Sequence, residues 1–207
     1  SSCDRRPDVL RDIFIVTEEF FLPNVSLDVY VKMNRPFYPN FSQEVLDRCL
    51  QDFELPLSLN LNELSMGQKK KAYMSFALAT GTKYLFMDEP TNGLDIPSKS
   101  QFRKVIANNM TDERMLIIST HQVHDIESLL DHIVILNQNN LLLDASVADI
   151  CEDYSFEYRT PAEMDDTVLY AEPTLQGNAV IAKRKAGSRE TQMNLELLFN
   201  AAINGKL

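Results

Sequence analysis

The 207-residue sequence predicts an α/β fold built on a mostly parallel sheet flanked by helices, and two patterns carry that prediction. Three short apolar runs, Ile13-Phe14-Ile15-Val16, Tyr84-Leu85-Phe86-Met87 and Met115 to Ser119, do not alternate with polar residues, as expected of strands buried on both faces of a parallel sheet. Between them, apolar residues recur at helical spacing: Ala72, Phe76 and Ala79 in one segment, Phe102, Val105 and Ile106 in another.

Taken in order, the first strand is followed by an acidic loop, Thr17-Glu18-Glu19, and then Phe20-Phe21-Leu22-Pro23. Residues 26–61 read as short helices broken by Pro36, Pro39 and Pro56. Asn40 with Gln43 forms a candidate capping box, ahead of an apolar stripe of Phe41, Val45, Cys49, Leu50 and Phe53. Ser65 can cap the next helix and Gly81 can end it. Pro97 suits the first turn of the helix that follows. His121 opens a turn and a further helix containing Val123, Ile126, Leu129 and Leu130, and His121 with His124 lacks the third ligand a zinc site needs. Ile133 to Leu136 and Leu141 to Leu143 flank an Asn-rich turn, and Ala145 to Ile150 is a last short helix. Beyond Cys151, short strands at 156–159, 168–170 and 179–183 precede a helix at 195–203.

Composition narrows the function. A formal net charge of −10 argues against a general nucleic-acid binder, because phosphate neutralisation needs a basic surface. Cys3, Cys49 and Cys151 are odd in number and far apart, which suggests neither a disulfide framework nor a zinc ribbon and fits a reducing cytosol. No apolar run approaches the ~20 residues of a membrane span, so work at a membrane would go through a partner.

Two local conflicts point to chemistry. Lys69, Lys70 and Lys71 lie in the first turn of a helix, where the macrodipole disfavours cations by ~0.3 to 1 kcal/mol each unless an anion is present. Asp88 and Glu89 are adjacent carboxylates at a strand end, which repel unless a cation sits between them or one takes a proton. An anion accompanied by Mg²⁺ would settle both, and suggests a nucleoside triphosphate. Singly, each feature has a plainer alternative: Ser-x-Gly as a helix cap, Asp-Glu-Pro as a strand-end turn, and the lysines as a solvated face.

Together these residues resemble the ATP-binding cassette family, the ATPase subunits of ABC transporters. Leu64-Ser65-Met66-Gly67-Gln68 is similar to its signature Leu-Ser-Gly-Gly-Gln, with Met66 at the first glycine. Tyr84 to Asp88 resembles its Walker B strand, Glu89 its general base, Asn92 to Asp95 its D-loop and His121 its switch histidine. Glu18 occupies the Q-loop position, where the family usually has glutamine, so a carboxylate adds charge there.

The resemblance implies a P-loop NTPase-like ABC cassette core over 1–150, including a helical subdomain at about 26–80, and a small α+β C-terminal extension at 151–207. It implies binding and hydrolysis of ATP with Mg²⁺ on Asp88, Glu89 and His121 as the catalytic residues, and Ser65, Met66, Gly67 and Gln68 completing a second subunit's site. Asp95 would belong to the same dimer contact. The implied partners are a second ATPase subunit, identical or not, and a membrane-spanning permease that holds the protein on the cytoplasmic face. Phe20, Phe21, Phe37 and Tyr38 are candidates for the permease contact or for packing within the subdomain. The phosphate-cradling Gly-x-x-x-x-Gly-Lys does not occur; the only Gly-Lys pair, Gly205-Lys206, has Asn200 at the first glycine's place. The sequence is therefore read as N-terminally incomplete, lacking Walker A, with weak or no ATP binding alone and apolar surface exposed. The alternatives are a soluble cassette protein acting on ribosomes or DNA, which usually carries two cassettes or a long coiled coil, and a non-catalytic fragment with a protein-interaction role.

Overall fold

The three apolar runs become neighbouring parallel strands, β1 (Ile13–Val16), β2 (Tyr84–Asp88) and β3 (Met115–Ser119), in the order β1-β2-β3. Ile13 lies beside Tyr84 and Tyr84 beside Met115, so alternate residues of the three strands share a face. The computed structural model describes residues 6–56, 58–185 and 187–207; Cys3 lies outside them. Residues up to Asp125 form one compact unit and Ile126–Leu207 a second, a division ahead of the 150/151 boundary expected from the sequence.

In the first unit, α2 (Leu27–Asn34), α3 (Gln43–Asp52) and α4 (Met66–Ala79) connect β1 to β2, and α5 (Ile96–Asn109) connects β2 to β3. A short helix, α1 (Pro7–Leu10), precedes β1. One face of the sheet buries Phe14, Val16, Leu85 and Met87. Phe76 of α4 anchors this core: its ring lies 5.8 Å from Phe14, 5.0 Å from Tyr30 and 5.7 Å from Phe41. Aromatic pairs of this kind add about 0.5 to 1.5 kcal/mol each beyond area burial, which ties the helical segment to the sheet.

The opposite face differs from the expectation of strands buried on both sides. Ile15, Tyr84, Met115 and Ile117 share it and are 42 to 55% exposed. An unbroken apolar run reports that a strand is suited to burial on both faces, and only one of these faces is covered.

Local chemistry explains the helix boundaries. The cap of α3 is Ser42, whose hydroxyl accepts from the Val45 amide at 3.2 Å, rather than Asn40. Asn40 instead packs against Gly81, where a side chain would bring Cβ within 2.5 Å of the Asn40 carbonyl. Gly81 also has φ +65°, a conformation that favours glycine, so α4 stops there as expected. Leu46, Cys49, Leu50 and Phe53 form the buried stripe of α3; Leu46 was absent from the expected stripe. After β3 the chain forms two short 3₁₀ turns, Val123–Asp125 and Glu127–Leu129, in place of the expected helix.

In the second unit, β4 (His132–Asn137) and β5 (Asn140–Ser146) pair through a two-residue turn with Gln138 at φ 45° and Asn139 at φ 69°. Positive φ at both central positions matches strand twist, and asparagine tolerates it. α6 (Val147–Asp153), capped by Ser146, leads to an antiparallel sheet of β6 (Tyr154–Arg159), β8 (Gly177–Lys183) and β7 (Val168–Thr174) in that order. Helix α7 (Leu195–Ile203) buries Leu198 and Ala201, and its Asn200 donates to Glu172 of β7 at 2.9 Å.

Candidate catalytic and signature site

The densest group of polar contacts lies at the C-terminal end of the parallel sheet. β2 ends on Asp88, and Asp88 Oδ1 accepts from the Ser119 hydroxyl at 2.7 Å. Glu89 follows at φ 45°, a left-handed conformation that costs a non-glycine residue about 1 to 3 kcal/mol and persists only where its surroundings hold it. They do so here: the Glu89 amide donates to the Ser119 carbonyl at 2.8 Å. The Glu89 carboxylate accepts from the Thr120 hydroxyl at 2.8 Å and the His121 amide at 2.9 Å, and meets His121 Nδ1 at 2.7 Å.

Burial pushes the Glu89 carboxyl up, and the bonds from Thr120 and His121 outweigh it, so its pKa falls below the ordinary 4.5. Its side chain is 14% exposed, whereas the His121 side chain is 74% exposed. Asp88, Glu89 and His121 are therefore brought together, the imidazole outermost.

At the start of α4, Ser65 and Gln68 form a reciprocal capping box. Gln68 N donates to Ser65 Oγ at 3.3 Å and Ser65 N donates to Gln68 Oε1 at 3.0 Å. Ser65 and Met66 are exposed, not folded into the core. A Cβ on Gly67 would meet only the Gly93 carbonyl and Leu94, both at an ordinary 3.9 Å, so packing within this chain does not require glycine there. Gly67 and Met66 line a cavity of about 260 Å³ with Glu18, Glu19, Phe20, Lys70, Asn92 and Gly93.

Glu18, in the loop after β1, accepts from Asn92 Nδ2 at 2.6 Å. Asn92 Oδ1 in turn accepts from Gln122 at 3.4 Å. Asp95 caps α5, its carboxylate accepting from the Ser98 amide at 2.9 Å, and hydrogen bonding from the Ser98 hydroxyl first and its amide second holds the Asp95 pKa below the ordinary value.

Two of the three lysines and both carboxylates of the acidic pair find partners inside the chain. Lys70 is 5% exposed and donates to the carbonyls of Glu89 at 2.7 Å and Asn92 at 2.9 Å. Lys71 donates to Gln101 Oε1 at 2.8 Å. Neither needs an external anion. Lys70 also lies in the field of Glu18, Glu89 and Asp88, so the carboxylates have a cation of their own and the added charge of Glu18 is offset. Thr120 and Gln122, with the hydroxyl of Ser119, are members of the site that sequence reasoning did not single out, and Lys70 and Asn92 were noted there without these partners. Their signal was slight: polar residues at a strand's end.

Of the four exposed-aromatic candidates, Phe20 stacks on Tyr73 at 5.0 Å and Tyr38 packs on Phe14 at 5.5 Å. Phe21 and Phe37 remain largely exposed.

Asp88 suits a hydrated Mg²⁺, which takes one or two carboxylates and completes its shell with water and phosphate oxygens. It is exposed at the sheet's end with one oxygen anchored by Ser119. Among the described residues no group of three or more His, Cys, Asp or Glu could hold a metal by itself, which excludes a closed all-protein site there.

The fold is similar to that of solved ABC-type ATPase subunits: the ATP-binding subunit of an ABC transporter gives a TM-score of 0.61 at 22% identity over 71% of this chain and 64% of that one. A putative cobalt transport ATP-binding protein gives 0.60 at 18% identity over 95% of this chain and 72% of that one. In sequence, the zinc uptake system ATP-binding protein ZurA of Listeria innocua is 30% identical over 107 residues, 50% of this chain and 41% of ZurA. An uncharacterized ABC transporter ATP-binding protein of Methanocaldococcus jannaschii is 28% identical over 144 residues, 67% of this chain and 53% of its own length. No family model matches. Over the matched part of its length the chain is similar in sequence to the ATP-binding proteins of ABC transporters, and it spans about half or less of the length of these two curated relatives.

Proposed function

We propose that this chain is part of the ATP-binding subunit of an ABC transporter, binding and hydrolysing ATP in a head-to-tail dimer to drive transport through a membrane-spanning permease. The observation that carries this is the joining of Asp88, Glu89 and His121 at one end of the sheet, with an exposed Ser65 to Gln68 turn on the same unit. The named relatives, among them the zinc uptake system ATP-binding protein, support it.

In this reading Asp88 holds Mg²⁺, which would neutralise charge on the β- and γ-phosphates. Glu89 accepts a proton from the attacking water. Oε1 is engaged by the His121 amide and ring, while Oε2 meets Thr120 and keeps an acceptor site for the water. His121 binds the γ-phosphate. With Nδ1 held by Glu89, which orients the ring, Nε2 is the ring nitrogen left for the phosphate oxygens. Ser65, Met66, Gly67 and Gln68 complete the partner subunit's site through the amides at the start of α4. Asp95 orders the loop between the two sites by capping α5. Glu18 joins the loop after β1 to Asn92.

Residues 1–150 would form the cassette portion, with its helical subdomain at about 26–80, and 151–207 an accessory extension. Of the four aromatic candidates, Phe21 and Phe37 are the ones left largely exposed for a permease contact. Among the described residues no helix is long and apolar enough to cross a membrane, so attachment to the cytoplasmic face would come from that partner. The 207 residues by themselves would bind ATP weakly, since they contain no phosphate-cradling loop.

The test is ATP turnover by the transporter that contains this chain. Glu89→Gln should lower kcat by about 10² or more while leaving ATP binding intact. Unchanged turnover would remove Glu89 from the role.

A further inference from the structure

Lys70 is the feature of this site that the proposed mechanism does not use. It is the fifth residue of α4 and is nearly fully buried. Burying an ammonium is expensive unless its donors and charge are satisfied. Two donors go to the carbonyls of Glu89 and Asn92, at 2.7 and 2.9 Å. Those carbonyls belong to the two ends of one turn, closed by Asn92 N donating to the Glu89 carbonyl at 3.2 Å. The Glu89 peptides are thus gripped on two sides, the amide by Ser119 of β3 and the carbonyl by Lys70 of α4.

We propose that Lys70 is a positioning residue for Glu89: its ammonium clamps the 89–92 turn so that Glu89 stays left-handed and its carboxylate stays on His121 and Thr120. Nothing else on α4 is given this task by the contacts around the turn. A left-handed glutamate relaxes by rotating its peptide, and that rotation would swing the Glu89 carbonyl off Lys70 and the carboxylate off His121 together. Burial lowers the Lys70 pKa, and the nearby Glu18, Glu89 and Asp88 oppose that, which favours the cation the clamp needs. Because Lys70 lies five residues after Ser65 on the same helix, a displacement of the signature turn reaches the catalytic glutamate through one side chain.

The inference rests on the reading of Glu89 as the general base, but the clamp is tested without nucleotide. Amide hydrogen exchange by NMR on the 207-residue chain reads it directly, since the His121 amide donates to the Glu89 carboxylate and the Asn92 amide to the Glu89 carbonyl. In Lys70→Met these two amides should exchange about tenfold faster or more, the equivalent of one lost hydrogen bond, while the Thr80 amide, bonded to the Phe76 carbonyl at 3.0 Å, keeps its protection. Lys70→Arg, which keeps the donors, should restore the slow rates. Should Lys70→Met not fold, Lys70→Gln replaces it with the same expectation. Unchanged exchange at His121 and Asn92, or an equal loss at Thr80 in both variants, overturns the proposal, the second outcome making Lys70 a staple of the fold only. Either failure leaves the ATPase reading standing, which is decided by the turnover of Glu89→Gln.

Discussion

Glu89 and His121 are held as a pair: Oε1 of the glutamate receives the His121 amide at 2.9 Å and lies 2.7 Å from the imidazole Nδ1. The histidine is thus oriented through both its backbone and its ring by the residue that follows Asp88.

This pairing predicts a pH dependence. The folded pKa of Glu89 lies below the ordinary 4.5, so its contacts contribute stability that is fully present above 4.5 and is lost as pH falls through the lower, folded value. Carbonyl-carbon NMR of Glu89 against pH should show its midpoint below 4.5, with protection of the His121 amide falling in parallel. A midpoint above 4.5 would contradict the bonding described.

The two glycines of α4's ends should respond oppositely to alanine. At Gly81, φ +65° costs alanine about 1 to 2 kcal/mol, and the Asn40 carbonyl 2.5 Å from the new Cβ adds to it, so Gly81→Ala should lower stability by about 2 kcal/mol or more. At Gly67 the new methyl meets ordinary contacts in a helix, where alanine is favoured by about 0.5 to 1 kcal/mol. Urea denaturation of both variants checks this. A destabilised Gly67→Ala would mean that its own chain needs that glycine.

Much of this architecture was legible. The three parallel strands, the Ser65 cap and the Gly81 stop follow from local rules that the surroundings did not override. The site was legible only as a family pattern. The helix-dipole conflict read from Lys69 to Lys71 weakens because α4 starts at Met66, which puts Lys70 and Lys71 past its first turn, and Lys70 reaches carbonyls 19 and 22 residues away, partners that leave no local mark. The same holds for Asn92, which bonds Glu18 across 74 residues. The cap at Ser42 was missed because Asn40 and Gln43 offered the same spacing, and the close approach of Gly81 to Asn40 is a tertiary fact.

The open sheet face predicts association. Ile15, Tyr84, Met115 and Ile117 form an apolar surface of the kind that fully buried side chains would stabilise by about 1.5 to 3 kcal/mol each. Light scattering of the 207-residue chain should show concentration-dependent self-association, which Ile15→Lys with Ile117→Lys should suppress. A monomer at all concentrations would count against it.

Binding of ATP to these residues alone should be weak. Four charge-assisted hydrogen bonds from a phosphate-cradling loop are together worth roughly 6 to 12 kcal/mol, against ~8 kcal/mol for micromolar affinity. Calorimetry should show a Kd above about 1 mM. Micromolar binding would refute this.

The claim on which the rest depends is that Glu89 and the Ser65 to Gln68 turn serve opposite subunits. It is tested by mixing two inactive forms of the transporter's ATPase, one carrying Glu89→Gln and the other Gly67→Asp, and measuring ATP turnover. If each site draws its base from one copy and its signature from the other, mixed dimers contain one undamaged site and turnover reappears. If both parts serve the same copy, every site in the mixture is damaged, and turnover stays as low as in either form alone.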